Sequence, residues 1–467
     1  MCIKINIPKV ATKQLKMQSC TAGRKLVIST NWLSLFGFEA NRRVIESLIG
    51  INKGILIKLA TDEDIKSKKV YTREYKSRKN NPIETMLDIR SQKLLNDAFP
   101  SDTVKVHIIF TKGEIRITPI TNKQAQAIND FKNSDDKLST FLACSSGIDG
   151  AYLQRDGFSI ETLLEYRPNE KRDKKDLSET GALNALTNIS PKYLINEDIM
   201  NLDLDKIADL ASSSKHSFFH LSIQCDDFSN AKANSLKECS LEDNSSSLDM
   251  IIDGLNIISK FNFPTVLIEN VRGFRSSDIG KMTLARLRRM GYTIYDDVYD
   301  ARDFGGLTSR VRYYLFATLL PAPYNIPVKV ARNSEKLWDR MIEPLIISGE
   351  LRDITDTKSY QDGIKTKRAR LLTRDSIDCG TIMKSQNRQA KDSLYIYDNT
   401  RDKAYFPSNE LLAKLMGIND VDFSTTSKTI ESEIIGQSID TLLHSAILRS
   451  VKEHILNANN YLKGRLF

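Results

Sequence analysis

The sequence predicts an α/β fold, a doubly wound and mostly parallel sheet, preceded by a separate β-rich domain. Between residues 138 and about 317, short apolar runs alternate with longer segments whose apolar residues recur at helical spacing. This alternation is typical of a parallel sheet with helices on both faces. Polar residues with reactive side chains follow several of the runs, where such sheets bind their ligands. The two observations together indicate a site at one sheet edge.

Five apolar runs are predicted as strands, at residues 140–143, 160–164, 218–223, 265–268 and 312–316. Helices are predicted between them, for example at 248–261 and 279–290. The second of these places Leu284 and Leu287 at helical spacing against Arg286, Arg288 and Arg289. Residues 401–467 are predicted to complete this core, with helices at 408–416 and 438–456. The intervening residues 321–400 lack a long periodic element.

Residues 1–135 have a different pattern and are predicted to form an accessory domain that binds DNA. Strands are expected at 25–29, 54–58 and 104–110. The segment 53–57 is echoed at 112–117, and each copy follows a segment containing Phe38 or Phe99. The echo predicts two copies of a helix-plus-hairpin unit, with two unrelated hairpins as the alternative. Paired units of this kind resemble the small β-barrels of bacterial DNA-binding transcription factors with swapped hairpins.

Charge and cysteine usage narrow the class of protein. A formal net charge of +9 and basic runs at 66–69, 73–79 and 365–370 favour a polyanionic partner, with a basic solvated surface as the alternative. The six cysteines are widely spaced without a CxxC pair, so we expect free thiols and neither a zinc site nor a disulfide scaffold. No apolar run is long enough to span a bilayer and no signal peptide is visible, so a cytoplasmic location is expected.

The first predicted strand leads into small residues at 144–150, a turn that lets a ligand approach the backbone. Glu165 follows the second strand, where a carboxylate can accept hydrogen bonds from ribose hydroxyls. Asp198, further along, is placed to bind an adenine amino group. In this order the residues predict an adenosine-type cofactor, while the lack of a P-loop disfavours ATP.

A second set of residues has the chemistry of a nucleophilic site. Cys225 follows the third predicted strand, Glu269 ends the fourth, and Arg310 and Arg312 begin the fifth. A thiol, a carboxylate and a pair of arginines could act together on an electron-poor ring.

Taken in order, these motifs resemble those of the cytosine-C5 DNA methyltransferases, which use S-adenosyl-L-methionine. The resemblance covers residues 138–320 and 400–456 and depends on six segments: 141–147 with Gly157 and Phe158, 225–229, 269–271, 301–312, 406–417 and 436–439. It implies the class I S-adenosylmethionine-dependent methyltransferase fold, with residues 321–400 as the target-recognition region. It also implies DNA as partner, with a cognate restriction endonuclease as a further candidate, and no membrane or metal.

The resemblance also implies roles for individual residues. Cys225 would add to C6 of cytosine, which makes C5 nucleophilic toward a sulfonium methyl group, after the base has flipped out of the duplex. Glu269 would hydrogen-bond the N3/N4 edge, and Arg310 and Arg312 would hold the base carbonyl, the nucleophile loop or a phosphate. The implied cofactor contacts are Phe141, Ala143, Ser146, Gly147, Glu165, Asp198, Ile199 and Ser438.

The chain departs from the family pattern at two motifs. Gln224 and Asp226 flank the cysteine where the family has proline and glutamine, and Cys144 and Ser146 replace glycines of the cofactor turn. Asp226 places a negative charge beside the thiol, which raises its pKa. Two alternatives therefore accompany the methyltransferase hypothesis: a catalytically silent DNA-binding relative, and the same chemistry on RNA.

Overall fold

The computed structural model describes residues 6–64, 66–79, 82–169, 173–212, 214–228, 235, 237–238, 242 and 246–464. The chain divides into two compact units, Met1–Gln126 and Ala127–Phe467. The hydrophobic core of the first unit is separate from the two large and one small apolar clusters of the second. Each unit therefore has the core expected of an independent domain.

The first unit is β-rich. Its elements, among the described residues and in chain order, are β1 (Ala11–Lys16), β2 (Gln18–Cys20), β3 (Gly23–Ser29), α1 (Trp32–Leu35), β4 (Arg43–Gly50), β5 (Gly54–Leu59), β6 (Lys68–Lys69), β7 (Tyr71–Glu74), β8 (Ile83–Ile89), α2 (Gln92–Ala98), β9 (Lys105–Thr111) and β10 (Glu114–Ile120). They form a six-stranded sheet, β1-β9-β10-β5-β4-β6, and a four-stranded sheet, β2-β3-β8-β7.

This unit contains the same strand–helix–hairpin arrangement twice, first as β3, α1, β4–β5 and then as β8, α2, β9–β10. The two copies pair with each other in antiparallel fashion, β3 with β8 and β5 with β10. Gly54 lies where the hairpins meet, because a Cβ there would overlap the carbonyl oxygen of Ile117. The topology confirms the predicted pair of helix-plus-hairpin units.

The chain continues through α3 (Lys123–Asn133) into the second unit. Its described elements are β11 (Ser139–Ala143), α4 (Ile148–Arg155), β12 (Ser159–Leu164), α5 (Thr180–Asn188), β13 (Tyr193–Ile195), α6 (Leu204–Leu210), β14 (Phe218–Ser222), α7 (Met250–Phe261), β15 (Thr265–Val271), α8 (Arg272–Ser276), α9 (Asp278–Met290), β16 (Thr293–Asp300), β17 (Val311–Thr318), α10 (Glu343–Ile347), β18 (Arg352–Asp353), α11 (Lys358–Lys365), β19 (Arg370–Leu372), β20 (Leu394–Asp398), β21 (Lys403–Phe406), α12 (Asn409–Leu415), α13 (Lys428–Gln437) and α14 (Thr441–Leu462).

The central sheet has the strand order β13-β12-β11-β14-β15-β17-β16. Neighbours from β13 to β15 are parallel, and β17 runs antiparallel to both β15 and β16. The predicted doubly wound, mostly parallel sheet is confirmed, and all five predicted strands are present. Two strands escaped prediction: β13 has only three residues, and β16 is half-exposed and carries three aspartates.

The central strands are apolar on both faces because helices cover both faces. Alternate residues of β11 divide between the two large apolar clusters, with Leu142 on one face and Phe141 on the other. The C-terminal α14 packs on the first face through Ile447 and Val451, and α7 packs on the second through Ile258. This packing fixes the strand ends at one edge of the sheet.

Residues 321–400 contain short elements, as predicted. They contribute to a small four-stranded sheet, β18-β21-β20-β19, beside which Trp338 is buried with the guanidinium of Arg374 4.6 Å from its ring centre. The predicted boundary at residue 400 divides this sheet, because β21 lies beyond it. The predicted C-terminal helices correspond to α12 and α14, and α13 between them was not predicted.

Candidate active site

The carboxyl ends of β11, β12, β14 and β15 open into a cavity of about 590 Å³ within the second unit. Eight of the twelve predicted site residues line this cavity: Cys225, Glu269, Arg312, Ser146, Glu165, Asp198, Ile199 and Ser438. The strand order thus brings together residues that lie almost 300 positions apart in the sequence.

Phe141, Ala143, Gly147 and Arg310 do not line the cavity. Phe141 and Ala143 are buried within β11, where the Phe141 ring packs edge-on against Phe219. Gly147 precedes α4 with φ of +106°, and a Cβ there would lie 2.5 Å from the Cα of Ala185. These residues support the wall of the cavity, and Gly147 is required by the close approach of α5.

The turn after β11 is held by side-chain hydrogen bonds. Cys144 has the left-handed φ of +61°, an unusual conformation for a residue other than glycine. The Ser145 hydroxyl is buried, accepts the Gly147 N–H at 3.1 Å and donates to Asp149. The side-chain amide of Asn184 donates to the Ser146 carbonyl at 2.7 Å. Contacts from outside the turn therefore fix a conformation that glycines would otherwise adopt freely.

Asp149 connects this turn to a buried group on β14. Its second carboxylate oxygen lies 3.3 Å from Nε2 of His220, which is fully buried and five residues before Cys225. The His220 ring packs against His444 of α14 at 5.1 Å, and His444 lies 3.3 Å from the Tyr314 hydroxyl. Burial, with His220 adding to it, lowers the pKa of His444 well below its ordinary value. This polar chain links the cofactor turn to the nucleophile strand.

Glu165 follows β12 and lies deep in the cavity, only 5% exposed. Burial, with the nearby Asp149 carboxylate adding to it, raises the pKa of Glu165 to about 8. Gly181 of α5 faces it, since a Cβ at that position would overlap a Glu165 carboxylate oxygen. Glu165 is therefore mostly protonated at neutral pH, beside a wall that glycine keeps open.

Asp198, Ile199 and Ser438 also line the cavity. One carboxylate oxygen of Asp198 accepts the Met200 N–H at 3.0 Å and caps a short 3-10 turn. Ile199 is buried, and the Ser438 hydroxyl donates to the Ile435 carbonyl at 2.8 Å. This cap therefore restricts the rotation of the Asp198 side chain, and Ile199 provides an apolar surface in the cavity wall.

Cys225 lies immediately beyond β14, and Gln224 donates to Asp226 across it at 3.3 Å. Asp227 anchors the loop by accepting the Ser247 N–H at 2.8 Å. Ser229, the last residue of the predicted nucleophile motif, lies outside the described residues. Burial raises the pKa of the Cys225 thiol, Asp226 adds to the rise, and Arg312 opposes it. The thiol is thus protonated at rest and depends on nearby cations for ionisation.

Glu269 and Arg312 form an ion pair at 3.1 Å, both almost fully buried. The register of β15 and β17 sets this pair, because Glu269 lies opposite Tyr314 and Val271 opposite Arg312. Ser222 also donates to Glu269, at 3.4 Å. Burial raises the pKa of Glu269 and Arg312 opposes the rise. A carboxyl group with a raised pKa can donate as well as accept a hydrogen bond.

Arg310 is fully buried and donates to two backbone carbonyls, Ile382 at 2.9 Å and Gly436 at 3.0 Å. It thus ties the start of β17 to residues 321–400 and to α13. Arg312 rather than Arg310 lines the cavity. The predicted contacts of Arg310 with a base, the nucleophile loop or a phosphate stay a prediction.

Several lining residues were missed from the sequence. Arg167, two positions after Glu165, pairs with Asp173 at 2.7 Å and with Glu433 of α13 at 3.6 Å. Lys384, within residues 321–400, also lines the cavity. The proximity of Arg167 to Glu165 was a usable signal, whereas Glu433 and Lys384 are brought in only by the tertiary fold.

The described part of the chain contains no cluster of three or more metal-ligating side chains. It also contains no helix with the length and apolar character needed to cross a bilayer. Cys2 and Cys239 lie outside the described residues, and Cys20, Cys144, Cys225 and Cys379 are free thiols, as predicted.

A family model and several solved structures are similar to this chain. The model of the family described as C-5 cytosine-specific DNA methylase matches residues 181–429, more than half of the chain. Among solved structures, the methyltransferase EhMeth of Entamoeba histolytica is 16% identical with a TM-score of 0.51, covering 68% of this chain and 99% of that one. DNMT2 of Spodoptera frugiperda, in a mutant form, is 15% identical with a TM-score of 0.49, covering 67% and 99%. The comparison with curated proteins gives no match.

Proposed function

This chain belongs to the C-5 cytosine-specific DNA methylase family, and from that membership we propose that it transfers a methyl group from S-adenosyl-L-methionine to C5 of cytosine in DNA. The observation that supports this most directly is the placement of Cys225, Glu269 and Arg312 in one cavity with Glu165 and Asp198. The first three residues supply what a ring-activating nucleophilic site needs, and the acids suit an adenosine group.

The residues present fit the cofactor. The cavity volume of about 590 Å³ lies in the range of pockets that enclose ligands of this size. Glu165 would accept the ribose hydroxyls beside Gly181, and Asp198 would accept the adenine amino group against the apolar Ile199. When bound, S-adenosylmethionine supplies an electrophilic methyl group on a sulfonium centre.

The protein residues would carry the remaining chemistry. Cys225 loses its proton to solvent, and its sulfur forms a bond to C6 of the target cytosine, which moves an electron pair toward C5 and N3. Glu269 holds a proton at N3 and so stabilises this charge, while Arg312 fixes Glu269 and favours the thiolate. After C5 takes the methyl group, which would leave S-adenosylhomocysteine as the other product, the C5 proton leaves to solvent and the C6–sulfur bond breaks, which restores the thiolate.

The cavity is recessed at the strand ends, so the target base would have to leave the duplex to reach Cys225. We assign recognition of the flanking sequence to residues 321–400 and accessory DNA binding to residues 1–135. We also propose a cytoplasmic location and a cognate restriction endonuclease as a partner. The contacts within the second unit do not bear on either of them.

The test uses purified full-length protein, labelled S-adenosylmethionine and a cytosine-containing duplex, with 5-methylcytosine scored by mass spectrometry. A parallel duplex containing 5-fluorocytosine should give a covalent adduct that survives denaturing electrophoresis, because the fluorine prevents the final elimination. Cys225→Ser should abolish both product and adduct, whereas the matched control Cys20→Ser should retain them.

Cofactor binding without product or adduct would contradict the proposal and favour a catalytically silent DNA-binding relative. Product formed on RNA of matched sequence and not on DNA would transfer the same chemistry to RNA. An adduct that persists in Cys225→Ser would remove Cys225 from the nucleophile role.

A further inference from the structure

The first unit carries an excess of positive charge that the second lacks. Residues 1–126 contain 23 Lys and Arg against 11 Asp and Glu, a formal +12, and residues 127–467 contain 45 against 48, a formal −3. The positive balance of the whole chain therefore resides in the unit that does not contain the cavity. An asymmetry of this size is typical of a domain that binds a polyanion.

Within this unit the charge is concentrated in the segment 66–79, here called the basic arm. It lies between the two helix-plus-hairpin copies and includes β7, the edge strand of the four-stranded sheet. The arm contains one acidic residue, Glu74, and seven basic ones: Lys66, Lys68, Lys69, Arg73, Lys76, Arg78 and Lys79. The duplicated fold does not need this insertion, since the two copies pair through other strands.

Some of the basic side chains serve the fold. Lys68 pairs with Glu46, and Arg78 pairs with Glu84. Arg73 and Arg78 also lie over the ring of Tyr75, with guanidinium carbons 4.9 and 4.0 Å from its centre. These contacts order the arm and hold two guanidinium groups beside an aromatic ring, an arrangement that suits phosphate contacts and base stacking.

The other basic side chains remain exposed. Lys66, Lys69, Lys76 and Lys79 are exposed and pair with no carboxylate among the described residues. Tyr71, also on the arm, keeps 49% of its surface exposed. Lysines often protect an edge strand from pairing with other chains, and Lys69 lies in β6, an edge strand of the six-stranded sheet. The other three, Lys66, Lys76 and Lys79, lie outside both β6 and β7. Edge protection therefore accounts for at most one of the four.

We propose that the basic arm binds the sugar–phosphate backbone of the nucleic acid that is methylated. This inference rests on the proposed function, which identifies the nucleic acid. The residues of the arm supply the contacts. The four free lysines contact phosphates without regard to sequence, and the Tyr75 cluster fixes the arm that carries them. Binding of this kind loses strength steeply as salt rises, by a slope of about 0.9 per phosphate contact.

The experiment compares two variants of the full chain with the same change in charge. One replaces Lys66, Lys69, Lys76 and Lys79 with Gln. The other replaces four exposed lysines elsewhere in the first unit, Lys16, Lys53, Lys93 and Lys112, with Gln. Fluorescence anisotropy measures the Kd for a labelled duplex of about 30 base pairs over a salt series, with single-stranded DNA and an RNA hairpin of matched length as further arms.

We expect the arm variant to bind the duplex at least tenfold more weakly at moderate salt and to lower the salt slope by about 3 to 4. The control variant should change both by much less. Methyl transfer at saturating duplex should keep its kcat in the arm variant, with the loss confined to KM. Equal losses in the two variants, or no loss in the arm variant, would overturn the inference.

Failure of this inference can be distinguished from failure of the proposed function. A chain that forms no adduct at Cys225 but loses duplex affinity in the arm variant would retain the inference and reject the enzyme. If the protein forms the adduct and both variants bind the duplex with equal affinity, the enzyme is retained and the inference is rejected. Arm-dependent binding confined to the RNA hairpin supports the arm and assigns the substrate to RNA.

Discussion

The two ends of the cavity are built differently. At the nucleophile end, Cys225, Glu269 and Arg312 are placed by strand ends and by the register of β15 and β17. At the cofactor turn, Cys144 adopts a left-handed conformation held by Ser145, Asp149 and a buried histidine from another strand. The first end keeps the reactive cysteine, glutamate and arginine and departs from the family pattern only beside the cysteine, whereas the second departs within the turn itself.

The difference shows how sequence change is tolerated. Strand register depends on main-chain pairing and a buried apolar pattern, so the reactive side chains keep their places whatever stands beside them. A tight turn depends on which φ values its residues can adopt, so replacing glycine there requires support from other side chains. Changes at the nucleophile end should therefore affect chemistry, and changes at the turn should affect cofactor affinity and stability.

The largest effect in this comparison is expected from Glu269→Gln. The variant keeps the shape but loses the carboxyl group that holds the proton at N3, so kcat should fall by about 10²- to 10⁴-fold. Cofactor affinity, measured by isothermal titration, should be nearly unchanged. The matched control is Asp297→Asn on β16, an exposed partner of Arg275. A fall in cofactor affinity that matches the fall in kcat would contradict the division between the two ends.

The next effect concerns Glu165 and pH. Its pKa is raised to about 8, and a carboxylate accepts hydrogen bonds from the cofactor hydroxyls more strongly than a neutral carboxyl group does, so cofactor affinity should rise with pH up to about 8. Below that pKa the rise should be at most about tenfold per pH unit. Glu165→Gln should weaken binding and flatten the pH profile, whereas the exposed Glu179→Gln should leave the profile intact. A slope that persists in Glu165→Gln would assign it to another group.

Folding stability should also depend on pH through Glu165. Because the folded-state pKa lies above the unfolded value, the folded state binds the proton more tightly, so this group's contribution to stability falls as pH rises from about 4.5 to 8. Denaturant unfolding of the unliganded protein at several pH values should show a shallower fall in Glu165→Gln than in the wild type. An unchanged slope would contradict the burial of this carboxyl.

A smaller effect is expected from Asp149→Asn. The substitution keeps the volume but weakens the link to His220 and the hold on Ser145, so the KM for S-adenosylmethionine should rise by about tenfold, the cost of one weakened charge-assisted hydrogen bond. Adduct formation with 5-fluorocytosine duplex at saturating cofactor should persist. An adduct lost at every cofactor concentration would show that the chain of polar groups acts on Cys225 rather than on the turn.

The smallest effect is expected from Cys144→Gly. Glycine adopts φ of +61° without the penalty of a side chain, so the free energy of unfolding should rise by at most about 1 kcal/mol. Asn262→Gly, at the left-handed end of α7, provides a control for the backbone effect alone and should change stability less, since asparagine tolerates that conformation. Strong destabilisation by Cys144→Gly would mean that packing of the partly buried thiol contributes more than the backbone strain costs.

Much of the second unit could be predicted because its pattern is strong. The five apolar strands and the helices α7 and α9 are long or periodic enough to identify. β13 and β16 carry little such pattern, the first being short and the second half-exposed. In the site, Arg310 and Arg312 have different partners: Arg310 donates to two backbone carbonyls, whereas Arg312 pairs with Glu269. The sequence could not predict this division, because it depends on packing against segments far along the chain.

The sequence by itself determined the order of the strands that alternate with helices, the residues at their ends and the duplicated unit at the N-terminus. Local pattern and chemistry are sufficient for these, because a strand or helix depends on spacing and a reactive group on residue type. Only the tertiary structure decided that Arg312 rather than Arg310 meets Glu269, that Arg167 joins Glu433, and that His220 supports the turn at Cys144. Such contacts join residues far apart in the chain, and register and packing alone bring them within hydrogen-bond distance.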